Sequence, residues 1–300
     1  MSEQHETIED RVTDLTIDVP SDNNENELPT TPADPEANGK EEDQKQQQQQ
    51  QQQETQNSKP ISVRQMRKLK NPQRKRHGAR NQHKNKIFVK WLIDRFHLKT
   101  VASDEDPISS SPIVLDVAGG KGEVAARLTM CHLQKVVMVD PRPADVAHCF
   151  DTLVYPKIPN KWQKRLDDQR KENPNVVQDK LANRFQQLVT TFDEYTITSN
   201  PELQNAIQNA RLILGLHADG ATEAIVDAAL QYNKPFCVVP CCVFPNLFRS
   251  RKVENEATGE MVPVRSHEQF CKYLADKDER FQTEILPFEG RNVAIWWDGN

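Results

Sequence analysis

Three short stretches of this chain hold residues whose types and spacing suit chemistry. In "LDVAGGKGEVAARL", residues 115–128, Asp116 precedes glycines at 119, 120 and 122. Glycines so spaced let a backbone approach a ligand closely, with no Cβ in the way. A second acid, Asp140, follows Gly122 by 18 residues, where a carboxylate can accept from both hydroxyls of a ribose. Further on, "LHADG" carries His217 and Asp219, and "VVPCCVF" carries Pro240, Cys241, Cys242 and Phe244. The first set suits holding a nucleotide. The second suits a substrate side, with His217 and Asp219 as candidate catalytic groups.

Two nucleotides fit the turn. Read from Gly120 it is G-x-G-x-x-G/A, the dinucleotide pattern; read from Asp116 it is D-x-A-x-G-x-G, a pattern associated with S-adenosylmethionine. Asp116 separates them. A pyrophosphate seated on a helix N-terminus would be repelled by a carboxylate beside the turn. S-adenosylmethionine has no phosphate, and its sulfonium and ammonium are helped by an acid. The expected holders of that cofactor are Asp116, Ala118, Gly119, Gly120, Gly122, Asp140 and Pro141. A dinucleotide, or a turn that needs glycine only for packing, stays an open alternative.

The elements that must position these residues alternate. "IVLDVAGG", "KVVMVDPRP", "RFQQLVTTF", "NARLILGLHADG" and "KPFCVVPCCVF" read as strands, the last over 234–244. "NKIFVKWLIDRFHL", "GEVAARLTMCHL", "ATEAIVDAALQY" and "SHEQFCKYLADK" read as helices, the last starting at Ser266 with Glu268 in its first turn. The polar stretch 144–180 reads as an insertion or lid with a helix near "NKWQKRLDDQRK". "RFQTEILPFEGRNVAIWWDGN" closes the chain as a hairpin turning at Glu289 and Gly290. The expected fold is α/β and Rossmann-like: a mostly parallel seven-stranded sheet, helices on both faces, and a C-terminal antiparallel hairpin. Each motif then falls at the carboxyl end of a strand, where such sheets bind ligands.

Composition divides the chain. Residues 1–58 hold 15 Asp/Glu against three Lys/Arg, and residues 46–53 are all glutamine, so this tail is expected to be disordered. Residues 59–90 carry 12 Lys/Arg and no acid, a basic linker over 59–86 suited to RNA contact or nuclear import. The net charge of −5 conceals this polarity. The methyl-transfer domain is expected over 87–300. Six cysteines without a secretory signal, and no apolar run of about 20 residues, point to a soluble intracellular protein in nucleus or cytoplasm. The oligomeric state is not readable.

With these residues in view, region 113–300 resembles the class I S-adenosylmethionine-dependent methyltransferases. Their first motif matches Asp116, Gly120 and Gly122, with Ala118 where a glycine usually stands, and their acid after the second strand matches Asp140. "LHADGATEAIVDAAL" and "VVPCCVF" resemble a narrower group with L-H-x-x-G after strand four and Cys-Cys after strand five, which includes tRNA ribose methyltransferases of the Trm-thirteen type. Asp219 stands where that group commonly has cysteine. The resemblance implies methyl transfer, with an RNA acceptor of tRNA-like kind. The alternatives are a non-catalytic platform for RNA or protein and an NAD(P)-dependent oxidoreductase.

Each candidate also has a plainer reading. His217 fits a core histidine satisfied by backbone, and Asp219 fits a cap for the following helix. No metal site is expected: Cys237, Cys241 and Cys242 form one cluster, and adjacent cysteines on a strand point to opposite faces. Phe244 and Phe248, near Arg249 and Arg251, suit stacking on an RNA base or simply core and rim. No Asn/Asp-Pro-Pro-Tyr/Phe stretch follows the fourth strand, which argues against methylation of a base amino group.

Overall fold

The computed structural model describes residues 83–98, 112–255 and 257–300. The acidic tail and the basic linker through residue 82 lie outside the described residues. So do residues 99–111.

In chain order, α1 (Lys84–Arg95) precedes β1 (Ile113–Val117), α2 (Glu123–His132) and β2 (Val136–Val139). The insertion follows: α3 (Val146–Cys149) runs into a π turn and then a 3-10 turn containing Pro156, before α4 (Asn160–Glu172) and α5 (Val176–Ala182). Then come β3 (Phe185–Leu188), α6 (Glu194–Ser199), α7 (Pro201–Asn209), β4 (Ala210–Leu216), α8 (Thr222–Gln231) and β5 (Phe236–Val239). A small ribbon of β6 (Lys252–Glu254) and β7 (Met261–Pro263) leads to α9 (His267–Ala275), β8 (Gln282–Ile285) and β9 (Val293–Trp297).

Seven strands form one sheet in the order β3-β2-β1-β4-β5-β9-β8. The first five are mutually parallel, with Leu115 opposite Val137 on one side and Ile213 on the other. β9 runs antiparallel between β5 and β8. This is the expected Rossmann-like architecture with its antiparallel closing hairpin.

Why these strands form is visible in their burial. β1, β2 and β5 are buried at every position, as short apolar runs covered on both faces must be. Alternation along β1 sends Ile113, Leu115 and Val117 into one core and Val114 into the other. The first core is covered by α7, α8 and α9, and the second by α1, α2 and the insertion. Asp116 shares Val114's face and so points toward α2. Phe150, Val154, Val177 and Leu181 of the insertion are buried in that second core, making the insertion a packed shoulder of the domain.

The last expected helix begins as read. Ser266 caps it, accepting from the Gln269 N–H, while the Gln269 side chain accepts from the Ser266 N–H in a full capping box. Among the described residues no helix is long and apolar enough to cross a membrane.

Candidate functional site

The chain winds outward from β1 through β2 to β3 and then crosses back from β3 to β4 on the other side of β1, so the sheet's switch point lies between β1 and β4. Sheets of this kind bind ligands in the crevice at that point, outside the carboxyl ends of the strands. Seven non-glycine residues have positive φ among the described residues. His97, Leu133 and Asn233 follow helix ends, but Ala118, His217, Asp219 and Phe244 all lie in the loops after β1, β4 and β5. Backbone strain of this kind is retained where surroundings fix it, commonly at binding sites.

Two of the turn's three glycines are closely packed. A Cβ on Gly119 would sit 2.5 Å from the Met138 sulfur and 3.0 Å from Asp116 Oδ2. Gly122, at φ 80°, is the N-cap of α2, and a Cβ there would meet Val146 at 2.7 Å. Ala118 adopts φ 56°, the left-handed region in which glycine is at ease and alanine is not. The turn is tied to the next strand by the Gly120 N–H, which donates to Asp140 Oδ2 at 2.9 Å.

Asp116 is 1 % exposed, and its Oδ2 has no hydrogen-bond partner. Burial, reinforced by the Asp140 charge, raises its carboxyl to about 7, although the Ala125 N–H on α2 favours the ionised form. Asp140 is equally buried but behaves oppositely. Burial pushes it upward, and donation from the Arg142 side chain and N–H and from Gly120 outweighs this, leaving it below the ordinary carboxylate value. The Arg142 side chain is 77 % exposed and bonds at 3.2 Å, a contact that a ribose can displace. The two acids on adjacent strand ends thus differ in protonation near neutrality.

His217 is placed by its own N–H, which donates to the Val239 carbonyl. Its Nδ1 lies 3.3 Å from Lys84 Nζ and its Nε2 lies 2.9 Å from the Arg291 carbonyl. An ammonium only donates and a carbonyl only accepts, so the ring is the neutral tautomer carrying its proton on Nε2. Burial, aided by the Lys84 charge, holds this imidazole below its ordinary value, against the opposing pull of the Arg291 carbonyl. With both nitrogens engaged, His217 positions α1 and the β8–β9 loop over the site.

Asp219 does not cap α8: the residue before that helix is Ala221, with no side-chain cap. Its carboxylate instead accepts from the Cys241 thiol at 3.0 Å. β5 ends at Val239, five residues short of the expected 244, because Pro240 lacks the N–H to continue the ladder. Cys241 and Cys242 therefore lie beyond the strand and do not point to opposite faces. Their sulfurs are 3.5 Å apart, beside Asp219. Burial, together with the neighbouring carboxylate and thiol, pushes the Cys241 thiol up to about 12.

The expected Phe248 and Arg251 platform has another use. Arg251 is buried, bonded to Glu223 at 2.6 Å and to the Val243 carbonyl at 3.0 Å, and its guanidinium stacks on the Phe248 ring. Phe244 stays exposed at the loop's tip. Pro240 is buried, its carbonyl held by His267 Nε2. Pro141 is exposed beside Asp140. Sequence reading does not single out Lys84 or Arg291. Lys84 was one charge in a basic run, and nothing in that run marks the one that turns inward.

No family model matches the chain, and no curated protein matches it. Solved structures with a similar arrangement include a mutant of MtNAS in complex with S-adenosylmethionine, at 9 % identity and a TM-score of 0.35, covering 71 % of this chain and 60 % of that one. An O-methyltransferase family protein from Burkholderia thailandensis matches at 14 % and 0.31, over 71 % of this chain and 57 % of its own. The methyltransferase domain of bacterial CtHen1 matches at 11 % and 0.36, over 72 % and 97 %. This chain spans about 60 % of the length of the first two. Likeness at this level carries no argument, and function rests on the site's own geometry.

Proposed function

We propose that the chain binds S-adenosylmethionine in the crevice beside the glycine turn and transfers its methyl group to RNA. The observation that carries the cofactor reading is Asp116, a buried carboxylate with an unpartnered oxygen set against the turn and the first turn of α2. An anion at that helix N-terminus would meet the place that Asp116 already occupies, which disfavours a pyrophosphate. A cationic donor is complementary to it. Asp140, reached by the Gly120 N–H, retains acceptor capacity for a ribose once Arg142 yields.

The bound cofactor supplies an activated methyl on a sulfonium. The chain's own residues bind, orient and exclude water: Asp116 faces the cationic end, Asp140 the ribose, and His217 holds Lys84 and Arg291 in place. Rate then comes mainly from in-line positioning of the acceptor. The RNA acceptor is supported by the 12 Lys/Arg of residues 59–90 and by the L-H-x-x-G and Cys-Cys resemblance.

Calorimetric titration of the full chain with S-adenosylmethionine, S-adenosylhomocysteine and NAD tests the cofactor. Binding of both adenosyl compounds but not NAD is expected. Binding of NAD alone would restore the oxidoreductase. Transfer of labelled methyl from S-adenosylmethionine to total RNA tests the acceptor, and binding without transfer would favour the non-catalytic platform.

A further inference from the structure

Asp219, Cys241 and Cys242 form the one group of three or more His, Cys, Asp or Glu ligand atoms in mutual reach among the described residues. We propose that these three side chains bind a divalent metal ion of the zinc class.

The ligand atoms all lie within 4.8 Å of one another, with Cys241 Sγ 3.0 Å from Asp219 Oδ1 and 3.5 Å from Cys242 Sγ. Around tetrahedral zinc, bond lengths of about 2.3 Å to sulfur and about 2.0 Å to oxygen place neighbouring ligand atoms roughly 3.5–3.8 Å apart. These two contacts would lengthen by roughly 0.3–0.5 Å to meet that geometry. Two thiolates and a carboxylate are also a donor set that zinc prefers to calcium or magnesium.

The group is assembled from two chain segments, each held by its own anchors. Asp219 sits in a 3-10 turn at φ 48°, with the Thr222 hydroxyl donating to its carbonyl. The loop with the cysteines is fixed at Pro240, whose carbonyl accepts from His267, and at Val243, whose carbonyl accepts from the buried Arg251. Arg251 is in turn pinned by Glu223 on α8, the helix that follows Asp219. Ligands carried on supports of this kind need little ordering when metal arrives.

Metal binding displaces the two thiol protons to solvent, so two thiolates and a carboxylate bring three negative charges to a dication. Three protein ligands leave a coordination position open, as in catalytic rather than structural zinc sites. The site stands apart from the methyl-transfer reading. Only the following use rests on it: an acceptor hydroxyl bound at the open position would have its pKa lowered and its nucleophilicity raised.

Cobalt titration of the full chain, purified without a histidine tag and under reductant, reads the site directly and with no methyl donor present. One equivalent of Co(II) should bind with a thiolate-to-cobalt charge-transfer band. The band should disappear in Cys241→Ser/Cys242→Ser, affinity falling at least about 100-fold, and weaken in Asp219→Ala. It should persist in Cys131→Ser, a change on α2 away from the group. The absence of the band in the unaltered chain, or its survival in the double serine variant, would overturn the proposal. So would a Cys241–Cys242 disulfide in protein trapped with an alkylating agent at lysis. Failure of the cofactor titration would leave the cobalt result standing, so the two proposals fail separately.

Discussion

Asp116 sets a function against stability within a single carboxylate. Its folded value of about 7 lies above the ordinary 3.8, so the folded chain binds the extra proton between those limits. Stability from this group is full below about pH 4, declines as pH rises through about 7, and costs on the order of 4 kcal/mol beyond. Asp116→Asn should therefore melt higher than the unaltered chain at pH 8 and no higher at pH 4, by thermal unfolding. The same change should weaken S-adenosylmethionine binding, and in the unaltered chain that binding should strengthen as pH rises through 7. Asp140→Ala should weaken it by about 10- to 100-fold in calorimetry, the scale of charged hydrogen bonds lost. Ala118 at φ 56° predicts a gain instead: Ala118→Gly should add roughly 0.5–1 kcal/mol in denaturant unfolding.

Among the elements, the strands of the parallel sheet are legible because double-sided burial leaves unbroken apolar runs such as Val136–Val139. Alternation with helices then fixes the architecture, and the acids at strand ends mark the nucleotide side. Other elements escape. The apolar pattern does not mark α6 and α7, although Asp193 and Asn200 cap them with their side chains and Pro201 opens the second, the signals a helix start carries. β6 and β7 have three residues each, too few for a period to show. The cysteine loop reads as strand because "VVPCCVF" stays apolar across Pro240, and only the missing ladder donor ends the strand. Holding that loop falls to Arg251, shared by Glu223 and Val243. Arg251→Ala should cost about 3 kcal/mol in denaturant unfolding, somewhat less than an orphaned buried charge, because Tyr273 and Lys277 still reach Glu223.

At the scale of the molecule, charge is segregated along the chain, with acids before residue 58 and bases over 59–90. Under the RNA reading, affinity for tRNA should fall steeply with salt, and deleting residues 59–82 should flatten that dependence in filter binding. Three of the 12 basic residues, Lys84, Lys86 and Lys90, belong to α1, which packs on the domain. It does so through aromatic rings: Trp91 and Phe96 meet Trp296 of β9 edge-on at about 6 Å, with Arg95 over the Trp296 ring. From the same helix, Lys84 reaches His217 in the crevice. Indole emission thereby becomes a gauge of occupancy. Any ligand that lifts Lys84 from His217 and loosens α1 will wet Trp91 and Trp296, and their fluorescence will shift to the red without any added dye.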